Sequence, residues 1–232
     1  MPDFSKRTLL PEKMDQPGVA ETEIEQALRE LERINKLLGG YRVIFNALAQ
    51  LPVNKKSVTI IDLGCGGGDM LRAISKWAKK KNKEVKLIGV DWNPVMTNFA
   101  TEQAKDYSNI HFITMNVFDD ALMSENADIT MNSLFCHHFT NDELAVLVKK
   151  MYSLASQAVI VNDLHRHWFA YYSIKIIAML FSKTYLVKYD GPLSVARSLN
   201  RQEWEHVLNS AGIKNYSLRW MWAWRWQLII RK

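Results

Sequence analysis

The chain has 232 residues, 48% of them hydrophobic, and 30 Lys and Arg against 24 Asp and Glu for a formal charge of +6. That length suits one large domain, or one domain with a cap, and the hydrophobic share is enough for a sizeable core. The modest charge, with its lysines clustered in Lys79-Lys80-Lys81 and Lys83 rather than interleaved with aromatics, speaks against nucleic acid as a partner. Two cysteines speak against a disulfide framework and fit a reducing, cytoplasmic setting. Met1 to Lys13 is polar and charged, unlike a signal peptide. No run reaches the roughly 18 uncharged apolar residues of a membrane span, since Trp168 to Leu180 is interrupted by Lys175.

Residues 1–20 hold three prolines and few apolar residues, and a flexible arm is expected there. Glu21 to Leu38 reads as a helix, with Ile24, Ala27, Leu28, Leu31, Ile34 and Leu38 on one stripe. Gly39-Gly40 stops it. A second helix runs from Tyr41 to Leu51 and ends at Pro52, so 21–52 forms a pair of cap helices ahead of a main domain at 53–232. Strand and helix then alternate: strand 58–63, helix 69–81, strand 85–90, helix 94–106, strands 110–115 and 128–134, helix 141–155, strand 157–162. Such alternation implies an α/β fold with a parallel sheet covered by helices, and ligands bind beyond the carboxyl ends of its strands. Asp62, Asp91, Asn116 and His137 all fall at those ends.

Beyond the fifth strand the pattern changes. Trp168 to Phe181 is a helix apolar on most of its surface, which must be buried, dimeric, membrane-facing or lining a greasy pocket. Asp190 to Arg197 is expected as a loop and Arg201 to Ala211 as a helix. Leu218 to Ile230 is strand-like, with Trp220, Trp222, Trp224 and Trp226 at a spacing of two. A turn near Ala223-Trp224 would make it a hairpin.

The run Val58 to Asp69 carries the chemistry. A β-branched strand enters a glycine-rich turn that lets backbone approach a ligand, and a helix follows with its free amides aimed at the turn. The dinucleotide pattern G-x-G-x-x-G fails, because its last glycine would fall on Asp69. Carboxylates at Asp62 and Asp69 are poor neighbours for a pyrophosphate. They suit S-adenosylmethionine, which has a sulfonium, an ammonium and no phosphate. Asp91, ending the second strand, can accept both ribose hydroxyl protons, and the Asn116 amide can pair with an adenine edge.

Asp62-Leu63-Gly64-Cys65-Gly66-Gly67-Gly68, Gly89-Val90-Asp91 and Asn132-Ser133-Leu134-Phe135-Cys136-His137-His138-Phe139, in this order, resemble the class I S-adenosylmethionine-dependent methyltransferases over roughly residues 40 to 232. The segment from Val161-Asn162-Asp163-Leu164 to Asp190–Ser198, with Leu38-Gly39-Gly40-Tyr41-Arg42, is similar to small-molecule methyltransferases related to the ubiquinone/menaquinone and polyketide enzymes. The resemblance implies a Rossmann-like seven-stranded sheet with helices on both faces, the last strand antiparallel, and a helical cap with an insertion at about 165–190. It implies S-adenosylmethionine cradled by Asp62, Gly64, Cys65, Gly66 and Gly68. Asp91 would take the ribose, Asn116 the adenine and Arg42 the carboxylate, with Trp92 and Val117 also binding the cofactor. Asparagine stands at 116 where many relatives carry aspartate.

Methyl transfer to a hydroxyl needs a base, and His138 is preferred over His137, with pocket shaping as the alternative role of the pair. Asp163 either contacts an acceptor hydroxyl or caps the next helix. No metal is expected. The resemblance implies a small hydrophobic hydroxylated acceptor of secondary metabolism (a phenol, quinol or polyketide), with oxygen methylation favoured over carbon. A non-catalytic binder is the alternative. Monomer and homodimer, and a peripheral membrane contact, stay open.

Overall fold

The computed structural model describes residues 3–51 and 55–232. The expected helix end at Pro52 and the boundary at 52–53 lie outside the described residues. Strands β1 (Ser57–Leu63), β2 (Glu84–Asp91), β3 (Ile110–Thr114), β4 (Ala127–Ser133), β5 (Ala155–Leu164), β6 (Tyr216–Met221) and β7 (Arg225–Arg231) form one sheet in the order β3-β2-β1-β4-β5-β7-β6. The first five are parallel. β7 inserts between β5 and β6, antiparallel to both. This is the expected Rossmann-like sheet of seven strands.

Burial on both faces explains the apolar strands. In β1, Ile60 faces the cluster shared with α2 (Gly40–Gln50) and α3 (Asp69–Lys80). Its neighbour Ile61 faces the cluster shared with α5 (Asn141–Leu154) and α8 (Arg201–Ser210). Capping boxes at Thr140/Glu143 and Asn200/Glu203 start α5 and α8. The cap comprises α1 (Glu21–Leu37), α6 (Trp168–Phe181) and α7 (Tyr185–Arg197), with α1 packed on α4 (Pro94–Gln103) through Leu28, Met96 and Phe99.

Two expectations are corrected. Residues 3–20 are no flexible arm but a strap across the carboxyl edge of the sheet. Arg7 donates to the carbonyls of Arg197 (2.6 Å) and Phe139 (2.8 Å) and to Asn141 Oδ1 (2.8 Å). Asp190 accepts from the amides of Lys13 (2.8 Å) and Met14 (3.0 Å). Few apolar residues are needed when backbone groups find partners elsewhere in the chain. The second correction concerns 190–197, which is the latter half of α7 despite Gly191-Pro192. An interior proline costs about 3 kcal/mol. Burial of Leu186, Val187, Leu193 and Val195 returns roughly 1.5–3 kcal/mol each and outweighs it. Glu30 of α1 further holds the start of α7, accepting from the amides of Lys183 (3.0 Å) and Thr184 (3.3 Å).

The β6–β7 hairpin turns at Trp222 to Trp224, splitting the tryptophan row. Trp226 enters the core and donates to Leu199 O at 2.9 Å. Trp220 and Trp222 stay exposed.

A Cβ on Gly89 would lie 2.6 Å from the Phe112 ring and 2.8 Å from Cys65 Sγ, whereas at Gly212 (φ +73°) nothing lies within 4 Å. Urea unfolding should show Gly89→Ala losing about 1–3 kcal/mol through overpacking. Gly212→Ala should lose about 1 kcal/mol from backbone strain alone.

Candidate active site

The glycine turn is clamped to the end of β2. The amides of Gly64 (2.8 Å) and Cys65 (3.1 Å) both donate to Val90 O. Gly64, Gly66 and Gly68 have φ of +74°, +50° and +69°, in the left-handed region that glycine adopts without strain. At Gly64 a Cβ would also strike the Phe135 ring at 2.2 Å. Asp91 is oriented by the turn it faces, accepting from Gly66 N (2.9 Å) and Asn93 N (3.0 Å).

Three carboxylates, Asp62, Asp69 and Asp91, share the wall of a cavity of about 700 Å³. Burial pushes all three pKa values up, and for Asp62 the charges of Asp69 and Asp91 add to that, so it stands well above the usual carboxylate range. Asp69 accepts from the Tyr41 hydroxyl at 2.8 Å. Asp62 Oδ1 is buried with no partner. A wall of crowded carboxylates with an orphaned oxygen fits a ligand that brings an ammonium and a sulfonium, and it opposes a pyrophosphate. The residues present therefore fit S-adenosylmethionine.

The structure brings Asp62, Gly64, Cys65, Gly66, Asp91, Trp92, Asn116, Val117, His137 and His138 to this one cavity. Asn116 Oδ1 accepts from Phe118 N at 2.9 Å, which leaves its NH₂ as the free group. Three expected residues stand apart. Gly68 lies under the turn, where a Cβ would meet the Phe112 ring at 2.6 Å, so packing adds to its positive φ in demanding glycine there. Arg42 is exposed on α2 and outside the cavity wall, because a helix starting at Gly40 turns Tyr41 inward and its successor outward. Asp163 neither lines the cavity nor caps α6, whose N-cap is His167. It is fully buried in β5 against His137.

His137 is held on both sides. Its Nδ1 lies 2.7 Å from Asp163 Oδ1, its backbone amide donates to Asp163 Oδ2 (2.9 Å), and its Nε2 lies 3.4 Å from Glu12 Oε1. Burial alone would lower its pKa, but Asp163 and Glu12 raise it to about 9. Burial would raise Glu12, but His137 and His138 lower it to about 2. His137 is therefore an imidazolium at neutral pH, a hydrogen-bonded brace rather than a base. His138 is more open, with Nδ1 2.9 Å from Asp15 Oδ2 and Nε2 3.9 Å from Glu12 Oε2. Among the described residues, Glu12, His137 and His138 also place ligand atoms close enough to share a metal ion. In this structure the carboxylates and protons of the network already pair them.

Sequence reasoning missed Glu12, Asp15, Ser194 and Arg225, all in the cavity wall. Ser194 donates to Glu12 at 2.7 Å. For Glu12 and Asp15 the only signal was polar residues in a segment read as loose. α1 supplies the apolar wall through Leu28, Leu31, Ile34 and Leu38, the stripe read from sequence, and Phe169, Ile174 and Ile177 of α6 face it.

The sheet and its glycine turn have the fold of solved S-adenosylmethionine-dependent methyltransferases. Residues 60–157 match the methyltransferase domain family. The carboxy-S-adenosyl-L-methionine synthase of Helicobacter pylori (strain HPAG1) is 31% identical over 126 residues, 53% of this chain and 49% of that protein. The chain thus spans about half the length of that curated relative. Human N-acetylserotonin methyltransferase, solved with S-adenosylmethionine, superposes with a TM-score of 0.65 at 17% identity, over 92% of this chain and 56% of that one. The plantazolicin methyltransferase, solved with S-adenosylhomocysteine, gives 0.62 at 16% identity over 91% and 95%. At such identities the two structures share the fold.

The buried network sets a pH window. A histidine raised from 6.5 to about 9 contributes stability that is complete below 6.5 and lost as pH rises through 9. The lowered Glu12 and Asp163 contribute above about 4.5, and that contribution is lost as pH falls. Thermal melting of the wild type should fall between pH 6.5 and 9, by at most about 3 kcal/mol, and His137→Leu should flatten that slope.

Proposed function

We propose that the protein transfers the methyl group of S-adenosylmethionine to a hydroxyl oxygen of a small hydrophobic acceptor, such as a phenol, quinol or polyketide. The observation that carries this reading is a single cavity in which a carboxylate wall, an apolar wall and the paired His138–Asp15 meet. When bound, the cofactor supplies an electrophilic methyl group on its sulfonium. Asp62 and Asp69 receive its ammonium, Asp91 its ribose, and Trp92 and the Asn116 NH₂ its adenine. Leu31, Leu38, Phe169 and Ile174 hold the acceptor and keep water out. Hydrogen-bonded through Nδ1 to Asp15, His138 keeps Nε2 as the lone pair that takes the hydroxyl proton, and Asp15 stabilises the imidazolium formed. His137, protonated already, positions its neighbour. Arg197 assists by donating to the carbonyls of His137 (3.1 Å) and His138 (2.8 Å).

Calorimetric titration of S-adenosylmethionine should give micromolar binding that weakens at least about tenfold in Asp91→Ala. His138→Ala should cut turnover of phenol or quinol acceptors about a hundredfold or more while cofactor affinity holds. Unchanged turnover would remove His138 as the base.

The reading extends to a peripheral contact with an anionic bilayer. Among the described residues no helix is long and apolar enough to cross a membrane. Yet α6 turns its small residues Ala170 and Ala178 inward and leaves Trp168, Tyr172, Ile176, Met179 and Leu180 exposed. The sequence from Leu164 to Tyr189 has no acidic residue, and Lys175, Lys183 and Lys188 are exposed there. Phe169 and Trp222 are exposed and also line the cavity, so its wall continues into this face. Aromatics, aliphatics and lysines in this arrangement favour a helix lying in the lipid interface. The wild type should float with phosphatidylglycerol-containing vesicles and less with pure phosphatidylcholine. Ile176→Ser/Leu180→Ser, at two positions outside the cavity lining, should abolish flotation without changing cofactor affinity. A concentration-dependent dimer removed by the same double variant would assign the face to a second copy instead.

A further inference from the structure

One charged group in the cavity wall has no counterpart. Arg225 opens β7 and pairs with Leu164, which puts it at the carboxyl edge of the parallel strands. Its side chain is 2% exposed, and it lines the cavity beside Trp222, Ala223 and Trp224. Nε and Nη1 are buried with no hydrogen-bond partner. Burial lowers its pKa to about 10, with Asp163 alone opposing, so it is a cation at neutral pH. Burying a lone guanidinium is costly, and a charge kept in such a place calls for an opposite charge from elsewhere.

The surroundings are built around the guanidinium. A Cβ on Gly40 would lie 3.2 Å from Arg225 Cζ and 1.7 Å from Asn35 Oδ1, so glycine at 40 makes room for both. Asn162 Nδ2, a donor like the guanidinium, is spent on Ser133 Oγ at 2.7 Å and Gly40 O at 3.4 Å. Asn35 Oδ1 and Asn162 Oδ1 are themselves buried without a donor. The planar fork of a guanidinium matches a carboxylate in bidentate fashion. The carboxylates of Asp62, Asp69 and Asp91 in the same cavity disfavour phosphate or any multiply charged anion.

We propose that Arg225 is a subsite for a carboxylate brought into the cavity by a ligand. Resting on the reading of this cavity as holding cofactor and acceptor, that carboxylate has two sources. One is the methionyl end of S-adenosylmethionine, whose ammonium would then stay with Asp62 and Asp69. The other is an acid group on an apolar acceptor, which would make the acceptor a hydroxylated acid rather than a neutral phenol.

The test is calorimetric, on wild type and Arg225→Gln, with four probes. S-adenosylmethionine is compared with its decarboxylated analogue, and decanoate with decanol on protein saturated with S-adenosylhomocysteine. If the cofactor is the source, Arg225→Gln weakens S-adenosylmethionine about tenfold or more and leaves the decarboxylated analogue unchanged. If the acceptor is the source, cofactor affinity holds, decanoate binding is lost and decanol binding stays. Either result supports the subsite, and the ligand-free variant should melt at or above the wild-type temperature. Affinities within about twofold for every probe would overturn it. Should the variant not fold, wild type alone decides, because equal binding of each carboxylated probe and its partner without the carboxylate overturns the proposal equally. A wild type that binds no adenosyl ligand, yet binds decanoate and not decanol when titrated ligand-free, would sink the cofactor reading and leave the subsite standing.

Discussion

The buried hydrogen-bonded chain from Glu12 through His137 to Asp163 is the interaction on which the site depends. It joins three parts of the molecule that sequence separates: the N-terminal strap, the turn after β4 and the end of β5. None of the three groups is stable there alone, since each would bury an unpaired charge or an unsatisfied ring nitrogen. Together they bring Asp15 within reach of His138 and lay the strap over the cavity. Arg7 and Arg197 secure the same joint from outside by donating to backbone carbonyls of the strap, the His137–Phe139 turn and α7.

Charge is distributed unevenly around the cavity. The glycine-turn side is acidic and only partly satisfied, and the β7 edge holds one bare guanidinium. Between them the walls are apolar, contributed by the inner stripe of α1 and by Phe169 and Ile174 of α6. Such a cavity offers acidic groups at one end, a cation at the other and apolar surface alongside. In low dielectric these charges act more strongly than on an open surface.

α6 shows how a structural compromise becomes a surface property. A helix normally buries its apolar stripe. This one packs on α7 through small residues and presents large ones outward, continuing a row that Phe169 and Trp224 join at 4.8 Å between ring centroids. The exposed face is thereby continuous with the aromatic mouth of the cavity.

The sheet and the cofactor side were legible in the sequence because each rests on local chemistry. β-branched runs report strands, glycines report the left-handed backbone, and the carboxylates of Asp62 and Asp91 lie within a few residues of the turn they serve. Even there, Gly68 and Arg42 were misplaced: a packing contact with Phe112 and the phase of a helix depend on neighbours that a linear pattern does not contain. The catalytic side was not legible. Residues 1–20 read as loose because few of them are apolar, yet residues 3–20 fold through hydrogen bonds to residues far along the chain, such as Asp190 and Arg197. His137 and His138 are adjacent in sequence and alike in chemistry. Only the tertiary structure sets one between two buried carboxylates as a fixed cation and leaves the other facing the cavity, because ionisation is decided by burial and by charges that the fold, not the sequence order, brings together.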